Sequence, residues 1–479
     1  MRSLRLPLLV LLAFRPLLAA DAPPAAQPPF GGGFGGPGFG PPPAGGGFGP
    51  GFGQRGAQPA TPQPPTPFLT QPALGGLKFD KPLAIVSAPG DANRLFILEQ
   101  DGKIFVIPDL AKPEKKLFLD LTAEVGKPDV SKGLMMLAFH PDWKTNRYFY
   151  VWFTRDEKGE PNSSDRLARF TISATDPNVA DPASELPLIT QPDRGSDHNG
   201  GGLEFGPDGY LYVSLGDEAY LGPNNRGGRG DLYGNAQKID GSLFSGIIRL
   251  DVDKKPGNLP PNPHPAVHPG TYLIPKDNPW VGATSFNGAP VDPAKVRTEF
   301  WAVGFRNPWR MTIDPVTSLI WVGDIGNYTV EEVDIVRRGD NHGWSFREGN
   351  IATPAANGPP PRDPPPGVKF AEPFFAYRHD DNANGGNCII GGFVYRGKAL
   401  PALRDRFLCA DWTNGRIWAL SPVDGSGPVK AELIARKIGI TAFALDPRTD
   451  DILMADLSGG AILRLAPNPA YPPQAAPKP

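Results

Sequence analysis

His198 stands in Asp197-His198-Asn-Gly-Gly-Gly202, an imidazole beside a carboxylate on a glycine-rich approach to a strand. A neighbouring acid fixes the histidine tautomer and stabilises the imidazolium formed when the ring takes a proton, which suits the pair to general-base work. Asp217 follows the strand Leu211-Tyr-Val-Ser-Leu215, and spacing alone is thin support for its meeting His198. A second concentration of polar groups is Gly304-Phe-Arg306-Asn307-Pro-Trp309. A guanidinium and a carboxamide just ahead of a strand can stabilise negative charge on a bound group. The plainer reading is a turn in which Arg306 pairs with an acidic neighbour. Asp217, Asp324, Asp411 and Asp456 each close a strand at similar places. Such acids either line a common funnel, where they can meet a hard cation such as Ca²⁺, or cap turns. Of the other histidines, His140 reads as a capping or packing residue of its turn, His264 and His268 as solvated loop residues, and His342 and His379 as residues of polar turns, either of which could line a pocket, with a surface role the leading reading.

The elements that must position these groups repeat. A turn containing Pro-Asp or Pro-Gly, a strand ending near an acidic residue, a second turn and another apolar strand recur six times, as in Pro207-Asp-Gly-Tyr-Leu-Tyr-Val-Ser-Leu-Gly-Asp217 followed by Gly246-Ile-Ile-Arg-Leu-Asp-Val. Aromatic and β-branched residues alternate with a period of two between Gly and Pro, with no long helical pattern. The economical reading is an all-β, six-bladed β-propeller over 78–465, with proline-rich loops at about 255–296 and 352–369.

Glycine (58) and proline (60) together form about a quarter of the 479 residues, against roughly 12% in ordinary chains, which excludes a mostly helical protein. The excess concentrates in a 21–77 segment that reads as a disordered tether, with a shorter proline-rich tail at 466–479. Residues 1–20 carry the charged, apolar and small-residue order of an export signal, so a periplasmic or extracellular location is expected. No segment is long and apolar enough to span a bilayer. A formal charge of −2 provides no field to gather nucleic acid. Cys388 and Cys409 lie on what look like neighbouring strands; a disulfide and two free thiols are equally compatible, and simple hairpin symmetry sets Cys409 opposite Phe393.

Taken together, Gly133-Leu-Met-Met-Leu-Ala-Phe-His-Pro-Asp142, Asp197-His-Asn-Gly-Gly-Gly-Leu-Glu-Phe-Gly-Pro-Asp-Gly209, Gly304-Phe-Arg-Asn-Pro-Trp-Arg310 and Gly323-Asp-Ile-Gly-Asn327 with Glu331-Glu-Val resemble the soluble glucose/sorbosone dehydrogenase family. The resemblance implies a six-bladed propeller that oxidises a sugar with pyrroloquinoline quinone (PQQ) and Ca²⁺ and passes electrons to a further acceptor. It makes His198 the base, Asp217 its orienting acid and Arg306 a group that stabilises charge on the reduced cofactor. It also implies Asn307 and Asp324 at the cofactor, Asp197 and Ser131 at the substrate, and the carbonyls of Gly326 and Asn327 at the metal, although the family's enzymes usually have proline at the Asn327 position.

Where those enzymes hold the cofactor's carboxylates with a lysine and two arginines, this chain has Thr413, Gly439 and Thr441. In that respect it resembles the hedgehog-interacting-protein-like branch. The leading expectation is therefore a PQQ- and Ca²⁺-dependent sugar dehydrogenase. The alternative is a non-catalytic propeller that binds a glycan or protein through its funnel, and a metal-dependent hydrolase or lactonase ranks below both.

Overall fold

The computed structural model describes residues 64–125, 132–156, 163–195, 197–219, 234–353, 363–379 and 385–471. Six four-stranded antiparallel sheets follow one another along the chain. Blade 1 begins with Pro82–Val86, blade 2 with Leu134–Phe139, blade 3 with Leu203–Phe205, blade 4 with Pro308–Ile313, blade 5 with Ile389–Tyr395 and blade 6 with Ile440–Leu445. Each of these first strands touches the first strands of the blades before and after it, and blade 6 returns to blade 1, so the six sheets form a closed ring. Radial repetition leaves each blade only short, protected sheet edges.

The second strands Leu95–Glu99, Leu211–Leu215, Ile320–Asp324 and Ile452–Asp456 are buried at every position. Largely apolar runs are what a strand sandwiched between neighbouring blades requires, and three of these four end in an acid. Arg310 lies at the axis. Its guanidinium donates to the carbonyls of Leu83 in blade 1 (2.8 Å), Met135 in blade 2 (3.1 Å), Gly201 (2.7 Å) and Thr441 in blade 6 (3.0 Å). Burial depresses the pKa of this group. One arginine thus ties four points of the ring together.

Three expectations are corrected. Residues 68–72 are not tether: Phe68–Pro72 pairs with Ala461–Pro467 as the fourth strand of blade 6, so the propeller starts before 78 and runs past 465. The strand forms because Phe68 finds a buried place on that blade and the ring needs a closing edge. Cys388 and Cys409 are both buried and free, and Cys409 faces Gly391 rather than Phe393 because a bulge between Gly391 and Val394 shifts the register. His264 is half-buried, and burial pulls its pKa down to about 4. Among the described residues no helix is long and apolar enough to cross a membrane.

Candidate active site

The turn before blade 3 presents His198 with a left-handed φ of 62°. A side chain in this region is disfavoured, and such outliers persist where surrounding contacts over-determine them. Here the Asp197 carboxylate accepts the His198 N–H (2.8 Å), and the buried Asn199 amide donates to Asp165 (2.7 Å) and Asp193 (2.9 Å). The carbonyl of His198 packs so closely on Gly216 that a Cβ there would lie 2.0 Å from it. That contact sets the residue preceding Asp217 as glycine.

The structure brings His198 and Asp217 together. His198 Nδ1 lies 2.5 Å from Asp217 Oδ1, which also accepts the Ala219 N–H (3.0 Å), while Asp217 Oδ2 accepts the Trp344 indole N–H (2.8 Å). Burial alone would raise the Asp217 pKa, yet the charge and hydrogen bond of His198, with Arg306 beyond, hold it below the ordinary carboxylate value. A buried carboxylate kept ionised against an imidazole is the arrangement that stabilises a histidine as it gains a proton. Trp344 was not singled out by the sequence, although it follows His342-Gly343 at the end of a polar turn.

Arg306 and Asn307 are positioned by Asp324, whose carboxylate accepts both backbone N–H groups (2.9 and 2.6 Å). The Arg306 guanidinium lies 5.7 Å from the Trp344 ring and donates to the carbonyls of Ile325 (2.9 Å) and Gly326 (2.5 Å). The following turn hangs on one acid: Glu348 Oε1 accepts the N–H groups of Asn327 (2.8 Å), Tyr328 (2.7 Å), Thr329 (2.7 Å) and Val330 (3.0 Å). The cysteine ahead of blade 5 belongs to the same region. Burial, then the charges of Glu331, Asp411 and Asp197, push the Cys388 thiol well above its ordinary pKa, while Arg306 opposes them. Ser131 lies outside the described residues.

The strand-end acids divide. Asp411 caps its turn, accepting Thr413 Oγ1 (2.7 Å) and the N–H groups of Thr413 (3.0 Å) and Asn414 (2.9 Å). Asp456 accepts the Gly459 N–H (3.0 Å) and pairs with Lys437 (2.9 Å). Asp324 instead gathers with Glu332 and Asp334, one carboxylate oxygen from each lying within 4.8 Å of the others. Burial, then the charge of Asp334, push Asp324 up to about 8, and Glu332 rises well above its ordinary value for the same kinds of reason. Three buried acids whose carboxylates lie this close are a set that a hard divalent cation would satisfy. His342 closes this cluster, with Nδ1 3.3 Å from Asp334 and its ring stacked on Phe305 at 4.4 Å. It is buried, not a surface residue, and the nearby acids raise its pKa although burial opposes them.

The three positions without the expected cations have structural work. Thr413 caps with Asp411, Thr441 is buried with its carbonyl on Arg310, and Gly439 takes a φ of 85°. A cation does stand beside Thr413. A cavity of about 280 Å³ is lined by His379, Thr413, Asn414 and Arg416, among others. It adjoins the Gly326 turn through Glu331, which accepts from Gly326 N (3.2 Å) and lies 2.8 Å from His379 Nε2. His379 is thus partly buried at a cavity wall. The buried Asn307 Oδ1 finds no partner among the described residues and could accept from a donor on a bound group. Arg416 and His379 thus bring two basic side chains to this cavity, the first donating to the Gly385 carbonyl and the second bonded to Glu331.

The family model for glucose/sorbosone dehydrogenases matches residues 79–263 and 271–464. The chain belongs to this family. It is 30% identical over 381 residues to the HIPL1 protein of Arabidopsis thaliana, covering 70% of this chain and 52% of that one. It is 26% identical over 279 residues to quinoprotein glucose dehydrogenase B of Acinetobacter calcoaceticus, covering 55% and 50%. The chain thus spans about half the length of the curated relatives it matches. The crystal structure of the soluble aldose sugar dehydrogenase of Escherichia coli superposes with a TM-score of 0.59 at 19% identity, over 83% of this chain and 99% of that one, a likeness of fold.

Proposed function

We propose that the protein is an exported, quinone-dependent dehydrogenase acting on an aldose or related polyol. The observation that carries this reading is the His198–Asp217–Trp344 arrangement, a base whose Nδ1 is tied to a buried carboxylate that an indole and a backbone amide hold in place. His198 takes the proton of the sugar's anomeric hydroxyl at Nε2, while Asp217 orients the ring and stabilises its charge. In this reading Asp197 serves the substrate, and Arg306, Asn307 and Asp324 serve the cofactor; the substrate role that the resemblance implies for Ser131 falls outside the described residues. PQQ, when bound, supplies the acceptor for the hydride that leaves the same carbon. Arg306 offsets the negative charge that this transfer creates. Oxygen ligands for Ca²⁺ are available at the Gly326–Asn327 turn and at Asp324, Glu332 and Asp334. The Gly326 carbonyl already accepts from Arg306, so the acidic cluster is the less encumbered of the two.

The test is sugar oxidation by the chain supplied with PQQ and Ca²⁺. His198→Ala is expected to abolish turnover while leaving the thermal transition in place, and wild-type turnover in that variant would remove His198 as the base. A second reading, a non-catalytic propeller that binds a glycan or protein, is favoured by the structural employment of Thr413, Gly439 and Thr441 and by the likeness to HIPL1. It predicts no turnover with any quinone.

A further inference from the structure

The proline-rich segment 255–296 and the described part of 352–369 are not explained by the blade repeat, and they converge with the turn at 339–341 around an open cavity of about 500 Å³. Sites for small molecules commonly enclose roughly 300–1,000 Å³. One wall is the hairpin Ser285–Phe286 and Ala289–Pro290, whose two-residue turn has positive φ at Asn287 (48°) and Gly288 (79°). An Asn-Gly turn with both residues left-handed matches the twist of its strands and holds its tip rigidly. The Trp280 ring meets Phe286 edge-on at 6.0 Å. The opposite wall carries Phe370, which packs 6.0 Å from Phe346 with the Arg347 guanidinium 5.3 Å from its ring.

Two lining amides, Asn287 and Asn341, bond to Gln237, which stands behind the lining. Gln237 Oε1 accepts from Asn341 Nδ2 (2.9 Å) and Asn287 Nδ2 (2.8 Å), and Gln237 Nε2 donates to Asn341 Oδ1 (3.0 Å). The same Nε2 donates to the Trp344 carbonyl (2.5 Å), and the Trp344 indole reaches Asp217. One hydrogen-bonded chain therefore joins the cavity wall to the His198–Asp217 pair. The charged side chains of the lining, Asp340 and Lys369, cancel. Aromatic walls, neutral amides and no net charge select a ligand with a flat apolar face, an edge of hydroxyl groups and no charge of its own.

We propose that this cavity is a carbohydrate subsite for a neutral di- or oligosaccharide, linked to the His198 site through Gln237 and Trp344. It needs no quinone; the proposed function guides only the choice of probes. The experiment is calorimetric titration of the full chain, without PQQ, with cellobiose and maltotriose, and with glucose 6-phosphate as the charged control. Saturable binding of a neutral sugar is expected, at least tenfold weaker in Trp280→Ala and in Phe370→Ala and abolished by Val368→Trp, which fills the cavity from its strap. His198→Ala is expected to keep this binding. No saturable binding of either neutral sugar, or binding left intact in Val368→Trp with an unchanged melting temperature, overturns the proposal. Quinone-dependent turnover alongside either of those results leaves the dehydrogenase reading standing, whereas binding without turnover supports the subsite and counts against that reading.

Discussion

Replacing Asp217 with asparagine changes almost no volume and removes one charge at the best-defined point of the site. The carboxylate is 1% exposed and meets three donors: His198 Nδ1, Trp344 Nε1 and the Ala219 N–H. An amide offers one acceptor oxygen and turns an N–H toward whichever donor remains, leaving at least one buried donor unsatisfied at a cost of about 1–3 kcal/mol. The charge-assisted bond to His198 is lost as well, so the total destabilisation is on the order of 2–4 kcal/mol at neutral pH. The pKa of Asp217 is depressed in the folded state. Its contribution is therefore complete above the unfolded carboxylate pKa, near 4, and is lost as pH falls through the lower folded value. Urea unfolding of wild type and Asp217→Asn at pH 7 and at pH 3 checks this, with a large gap in midpoint at pH 7 that narrows at pH 3. In a PQQ-dependent assay the same variant is expected to lose roughly 10²–10⁴-fold in kcat. Equal midpoints at pH 7, or a gap undiminished at pH 3, would refute the reasoning.

Arg310→Met leaves four axial carbonyls without their donor and is expected to cost more than about 3 kcal/mol, read as a fall in the guanidinium midpoint. Glu204, desolvated and bonded to the Ile313 N–H, has its pKa raised to about 8. A raised carboxyl makes stability fall as pH rises from about 4.5 to 8, by at most about 1.4 kcal/mol per pH unit, and Glu204→Gln should flatten that slope. Millimolar Ca²⁺ is expected to raise the melting temperature, and Glu332→Gln or Asp334→Asn to remove most of that rise. An unchanged Ca²⁺ response in both variants would place the ion elsewhere. Deleting residues 64–72 is expected to lower the melting temperature by several degrees, because it exposes the edge of blade 6 and uncovers Phe68's contacts.

The propeller was legible because a turn, a largely apolar strand ending near an acid and a second apolar strand recur six times along the chain. The Phe68–Pro72 strand was not, since five residues beside a Gly/Pro-rich stretch signal nothing until their partner, Ala461–Pro467, is known. His198, Asp217, Arg306 and Asn307 could be named from motifs, and the structure brings them together. Trp344 escaped because tryptophan reads as core material. The acidic cluster did carry a signal. Glu332 and Asp334 are two apart on one strand and so share a face, and register sets Asp324 opposite Glu332. His342 was misread because Asp-Asn-His-Gly looks like an exposed turn, whereas Phe305 and Asp334 draw the ring inside. Arg416 escaped because it opens the third strand of its blade, away from the positions where the family places its cations.

The most direct measurement is calorimetric titration of the 64–479 chain with PQQ, with and without Ca²⁺. Saturable, Ca²⁺-dependent binding in the micromolar range or tighter is expected, corresponding to about 8 kcal/mol or more. Absence of binding at high micromolar PQQ would show that Arg416 and His379 do not replace the missing lysine and arginines, and would contradict the dehydrogenase reading.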